Sequence, residues 1–118
     1  MKPSLEKAVI YQINNPVNPK KEGIDNGYCV DLVKYYRDIP WNGDARYYYQ
    51  NAIEYGFEVG NVPKLNAILV STSLPHGHVS FIISVLEESF TVIEQNVIGR
   101  HIVSSRIIPI ESGQLFVY

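Results

Sequence analysis

Cys29, His78, Glu94 and Asn96 are the residues whose types and order could carry out nucleophilic chemistry in this chain. Cys29 is the single cysteine. As a thiolate it would attack carbonyl carbon, and a histidine steadied by a carboxylate or amide could take its proton and pass it on. Taken alone, a cysteine on an apolar helix face is most often a small buried hydrophobe. Its setting raises its standing. Asp25, Asn26 and Gly27 read as turn and cap residues, and Cys29, Leu32, Val33 and Tyr36 recur at the spacing of one helical face. Asp31, Lys34 and Asp38 fall off that face. The pattern predicts a helix that starts within a residue or two of Cys29. That start puts the thiol at the positive end of the helix dipole, which favours the thiolate.

A base must come from His76, His78 or His101. His78 opens an alternating stretch just after Gly77, so a strand would hold its backbone while the ring sits at the sheet rim, the rigid setting a general base needs. Glu94 interrupts an apolar run after Phe90, Val92 and Ile93, where a charge is costly to bury without a partner. A strand that simply emerges into solvent at Glu94 explains the charge equally well. Glu94 and Asn96 are two apart, so a strand points both to one face. An even hairpin loop centred on Glu87 and Glu88 would turn His78 away from that face. An odd loop, or one bulge, would bring His78 onto it. The pairing therefore demands the odd register.

The elements that must position these residues are short. The chain has 118 residues, enough for one domain spanning 1–118 and one core. Apolar content of 46% against 19% charged is globular rather than disordered. Residues 5–13 read as a short helix ended by Pro16 and Pro19. Beyond the Cys29 helix, Trp41-Asn42-Gly43-Asp44 is a turn with Asp44 or Asn42 as helix cap. A second helix over Ala45–Tyr55 repeats Ala45, Tyr48, Tyr49, Ala52 and Ile53 on its inner face, with Gly56 as its stop. Past Pro63 the period falls to two. Ala67–Val70, His78–Val85, Phe90–Asn96, Arg106–Ile108 and Leu115–Val117 read as strands. Helices first and an antiparallel sheet second make the fold class α+β. The net charge of −2 gives no electrostatic case for nucleic acid, and no apolar run is long enough to insert in a membrane. One cysteine excludes an internal disulfide framework, and no spaced Cys/His cluster suggests structural zinc.

Gly27-Tyr28-Cys29-Val30-Asp31-Leu32-Val33, then Gly77-His78-Val79-Ser80-Phe81, then Val92-Ile93-Glu94-Gln95-Asn96 resemble the CHAP family, the cysteine- and histidine-dependent amidohydrolases/peptidases. The likeness runs from about Gly23 to Ile110. It implies a small papain-like fold, with N-terminal helices packed on a C-terminal antiparallel sheet. It makes Cys29 the nucleophile, His78 the general base, Glu94 the group that orients the imidazole and Asn96 the fourth polar residue. Tyr28 stands where many members carry Gln, and Tyr28, Trp41 and Tyr47 are the candidates for substrate contact. Trp41 could equally anchor the turn by packing. Some members bind calcium through acids before the cysteine and the Asp two after it. Glu22, Asp25 and Asp31 are the candidates here, with Lys20 where another acid is expected. No cofactor is required by this chemistry, and calcium is the one candidate metal.

The resemblance implies hydrolysis of peptidoglycan by a Cys-His-Glu thiol mechanism. The bond would be the N-acetylmuramoyl–L-alanine amide or a peptide bond of the stem or cross-bridge, as in a phage lysin. The expected partner is peptidoglycan alone, and the expected state a monomer. Met1–Ile10 has no apolar segment of signal-peptide length, so synthesis in a cytoplasm and action on the cell wall are expected, either phage-encoded or secreted within a larger or trimmed protein. Two other readings stand beside this one. One is a non-catalytic papain-like module that binds a peptide or a partner. The other is a thiol amidase acting on a small amide.

Overall fold

A computed structural model describes residues 29–73, 75–95, 97 and 102–118. Helix α1 spans Cys29–Tyr36 and turns Leu32, Val33 and Tyr36 inward, as the i, i+3, i+4 spacing requires. Tyr36 stacks on Phe81 of the sheet, ring centroids 4.7 Å apart and planes 11° from parallel. A 3-10 turn, Ala45–Tyr47, leads into α2, Tyr48–Glu54. The expected single helix is thus split. Ala45, Tyr48 and Ala52 are buried from it, whereas Ile53 is exposed. Gly56, at φ +81°, ends α2. Phe57 N–H donates to Ala52 C=O at 2.8 Å and Gly56 N–H to Ile53 C=O at 3.1 Å, the two bonds of a Schellman stop.

Among the described residues six antiparallel strands follow, β1 Val59–Gly60, β2 Ile68–Ser71, β3 His78–Val85, β4 Ser89–Gln95, β5 Val103–Pro109 and β6 Leu115–Val117. They lie in the order β1-β6-β2-β3-β4-β5, so the last strand of the chain is inserted between the first two. The two-residue β1 was not legible as a strand, because it has too few residues to show a period. One core cluster joins the inner faces of α1 and α2 to Ile68, Val70, Val79, Phe81 and Ile93. A second, of Ala67, Ile82, Phe90, Val92 and Phe116, lies on the opposite face of the sheet. The α+β class and the order of helices before sheet agree with the sequence reading. No helix among the described residues is long and apolar enough to cross a membrane.

The β3–β4 hairpin decides what the sheet can position. Near its turn Val85 pairs with Phe90 and Ser84 with Thr91, but beyond a bulge at Ile83 the partners become Ile82 with Val92 and Phe81 with Ile93. One extra residue on β3 shifts every later pairing by one, which exchanges the faces of its side chains. The register demanded by a His78–Glu94 pairing is the one present.

Candidate active site

His78 is the first residue of β3 and Glu94 the sixth of β4. With the bulge in place they share a face, and His78 Nε2–H donates to Glu94 Oε1 across 3.0 Å. The Glu94 side chain is 1% exposed and that of His78 22%, so the pair works largely out of water. Glu94 has a second partner. Arg106, on β5, places Nε 2.6 Å from Oε2 and donates from Nη2 to Oε1 at 3.3 Å. The Nε contact is poorly aligned for a hydrogen bond and is held by charge. The lone acid in an apolar strand is therefore buried and doubly paired rather than released into solvent.

Cys29 is the first described residue of α1, half-buried, and shares a cleft with the His78 ring. Since Nε2 is committed to Glu94, Nδ1 is the ring nitrogen left for the thiol. Burial is the largest single influence on the imidazole and pushes its pKa down. Hydrogen bonds to Cys29 and Glu94, with the charges of both, outweigh burial and raise it from 6.5 to about 9. His78 is therefore an imidazolium at neutral pH. Because the folded-state value is the higher one, this pairing stabilises the fold fully below about pH 6.5, and its contribution, on the order of 3 kcal/mol, is lost as pH rises through about 9. An NMR titration of the His78 ring is expected to show a midpoint near pH 9. In Glu94→Gln the midpoint moves down, because one of the influences that raise it is gone. A midpoint near 6.5 in both proteins would contradict the pairing.

Cys29 and His78 open onto one cleft of about 560 Å³, whose walls also include Gly43, Asp44, Ser73, Pro75 and His76. Asp44 occupies the residue before the 3-10 turn but makes no side-chain cap. Its carboxylate instead meets His76 Nδ1 at 3.2 Å on the rim. Gly77 lets this wall close. It adopts φ +71°, and a Cβ there would stand 2.5 Å from Ser71 C=O and 2.6 Å from Arg46 N and Cα. In return, Arg46 N–H donates to His76 C=O at 2.8 Å. The backbone just before His78 is thus tied to the turn that carries Ala45.

Not every candidate residue reaches the cleft. Trp41 is 4% exposed and packs against Tyr48, Tyr55 and Phe57, with ring centroids 5.6, 5.3 and 5.1 Å away. This corrects its reading as a substrate contact: it anchors the turn, because an indole between three rings gains more from burial than from a solvent-facing rim. Tyr47 is half exposed beneath the Arg46 guanidinium, 4.8 Å from its ring centroid, and does not line the cleft. Tyr28, Asn96, His101 and the calcium candidates Glu22 and Asp25 lie outside the described residues. Asp31 is in the first turn of α1, and among the described residues no three acidic, histidine or cysteine side chains converge as a metal site would need. Arg106 and Gly77 are the members of the site that sequence reasoning passed over. Arg106 had a signal, a lone cation on an apolar strand that could answer a lone acid on another.

The CHAP domain model matches residues 19–96, well over half of the chain. Among solved structures, the chain is similar to an N-acetylmuramoyl-L-alanine amidase from Staphylococcus aureus, with a TM-score of 0.69 and 24% identity over 80% of this chain and 30% of that one. It is similar also to Ly7917, at TM-score 0.66 and 18% identity over 97% of this chain and 60% of that one. Ly7917 with the hydrolyzing product of MDP gives a TM-score of 0.61 at 17% identity, over 96% of this chain and 62% of that one. The chain thus spans about a third to three-fifths of the proteins it resembles in fold. No curated protein matches its sequence. The cysteine at a helix start, the Gly-His strand entry and the buried strand glutamate all fall inside the matched span, and the chain belongs to the CHAP domain family.

Proposed function

We propose that this domain is a peptidoglycan hydrolase that cleaves an amide bond by thiol catalysis. The observation that carries the reading is the line Cys29–His78–Glu94, with thiol and imidazole on one cleft and the carboxylate behind them. In the proposed reaction the Cys29 thiolate attacks the amide carbonyl carbon. The Cys29 backbone N–H, at the first described residue of α1, is the candidate donor to the developing oxyanion. The His78 imidazolium gives its proton to the leaving nitrogen as the C–N bond breaks, leaving a thioester and a free amine. Neutral His78 then takes a proton from water, hydroxide attacks the thioester, and the C–S bond breaks to release a carboxylic acid and restore the ion pair. Glu94 keeps the ring in place and offsets its charge. Asn96 enters this scheme on the family pattern as the fourth polar residue.

Family membership and the likeness to an amidase fold support a cell-wall amide as substrate. A phage lysin, or a wall hydrolase working beside further domains, is the setting proposed for it. The test is incubation of purified cell walls with the protein, following turbidity and identifying released fragments by mass spectrometry. Clearing is expected, with one new carboxylate and one new amine per cut. A new L-alanine N-terminus would identify the muramoyl amide, and new termini within the stem or cross-bridge a peptide bond. Walls that neither clear nor release fragments, with small amides hydrolysed instead, would overturn the cell-wall reading.

A further inference from the structure

We infer that Arg106 is a positioning residue of this site, holding the buried Glu94 carboxylate as an ionised acceptor for His78 whether the imidazole is charged or neutral. The inference rests on the proposed thiol chemistry for its kinetic consequence, but not for its geometry. Four groups stand in a row, Cys29, His78, Glu94 and Arg106, contributed by α1, β3, β4 and β5. A carboxylate 1% exposed is costly to keep charged without a cation beside it. His78 can supply that charge only while protonated. In a reaction that takes the imidazole through its neutral form, Glu94 would then be left as a buried charge with no cation beside it, and its hold on the ring would weaken. The two contacts of Arg106, 2.6 Å to Oε2 and 3.3 Å to Oε1, restrain both carboxylate oxygens. Its guanidinium is itself 52% exposed, so it remains hydrated on its outer side while serving a buried partner.

The register makes this arrangement specific. Val92 pairs with Arg106 and Glu94 with Ser104, so Arg106 reaches Glu94 diagonally along one face of the β4–β5 ladder. Among the described residues, the other titratable groups near the His78 ring are Cys29 on α1 and the Asp44–His76 pair across the cleft mouth. Ser71 of β2, opposite His78 in the sheet, is uncharged.

The test reads the His78 ring by NMR titration and cell-wall hydrolysis by kcat and KM, in wild type, Arg106→Gln and Arg106→Lys. Without the Arg106 cation, neutralising His78 would strand a buried carboxylate, so in Arg106→Gln its midpoint is expected above the wild-type value. The kcat is expected to fall about tenfold with KM little changed, on the scale seen when the partners that orient a site's direct ligands are removed. Arg106→Lys keeps the charge and loses the fork, and should restore most of the midpoint with a smaller loss of kcat. An Arg106→Gln protein with wild-type midpoint and kcat, even one of lower thermal stability, would overturn the proposal. If Arg106→Gln does not fold, Arg106→Met, which keeps the aliphatic stem and loses the cation, decides: a wild-type midpoint and kcat there refute the positioning role. Should walls prove not to be the substrate, the titration still answers for Arg106.

Discussion

Cys29→Ala is expected to clear purified cell walls at least ~1000-fold more slowly than wild type, because the proposed nucleophile has no substitute within the site. Cys29 is the only cysteine of the chain, and His78 and Glu94 left behind can polarise water but cannot form the thioester. The variant should remain folded. The side chain is half-buried and small, so its loss is expected to cost about 1 kcal/mol or less in packing, before any change in the His78 pairing. A thermal melt by circular dichroism beside the turbidity assay therefore separates lost chemistry from lost structure. Cys29→Ser should behave almost as poorly, since a hydroxyl is far harder to ionise than a thiol. Equal clearing by wild type and Cys29→Ala would remove thiol catalysis. Clearing by neither, with both folded, would favour a module that binds without cutting.

Gly77→Ala should be the most damaging single methyl in the described sheet and its connections. Two costs combine. The left-handed backbone at φ +71° disfavours any side chain by roughly 1–2 kcal/mol. The new Cβ would also press on backbone atoms of Ser71 and Arg46 at 2.5 and 2.6 Å, which cannot rotate away as a flexible side chain could. Together these are expected to cost about 3 kcal/mol or more, or roughly a 10 °C fall in Tm for a domain of this size. Gly113→Ala is the internal control. It has φ +85° with open space where the new methyl would stand, so it carries the first cost without the second. Equal losses in the two variants would show that close approach at Gly77 contributes nothing. Activity should fall further than stability alone explains, because the displaced backbone is the one that delivers His78.

Much of the site was readable locally. Helix and strand periods are short-range patterns, and an apolar face that repeats every three to four residues can only be buried one way. That sufficed to put Cys29 at a helix start, His78 at a strand entry and Glu94 in an apolar strand. The second helix was less legible at its ends, where 3-10 and α geometry compete and Ile53 is left exposed. Trp41 could be read either as a cleft residue or as an anchor, because burial of an aromatic ring depends on what the rest of the chain folds over it.

By itself, then, the sequence determined the order of the helices and the longer strands, the α+β class and the candidate set Cys29, His78 and Glu94, since each is encoded in residue type and short-range spacing. Only the tertiary structure decided that these residues meet. The bulge at Ile83 set the face on which His78 stands, and β5 brought Arg106 to the carboxylate that the sequence left without a partner. Gly77 admitted the neighbouring backbone that closes the cleft wall. Register, cross-strand pairing and close backbone approach are set by residues distant in the chain, and local periodicity carries no record of them.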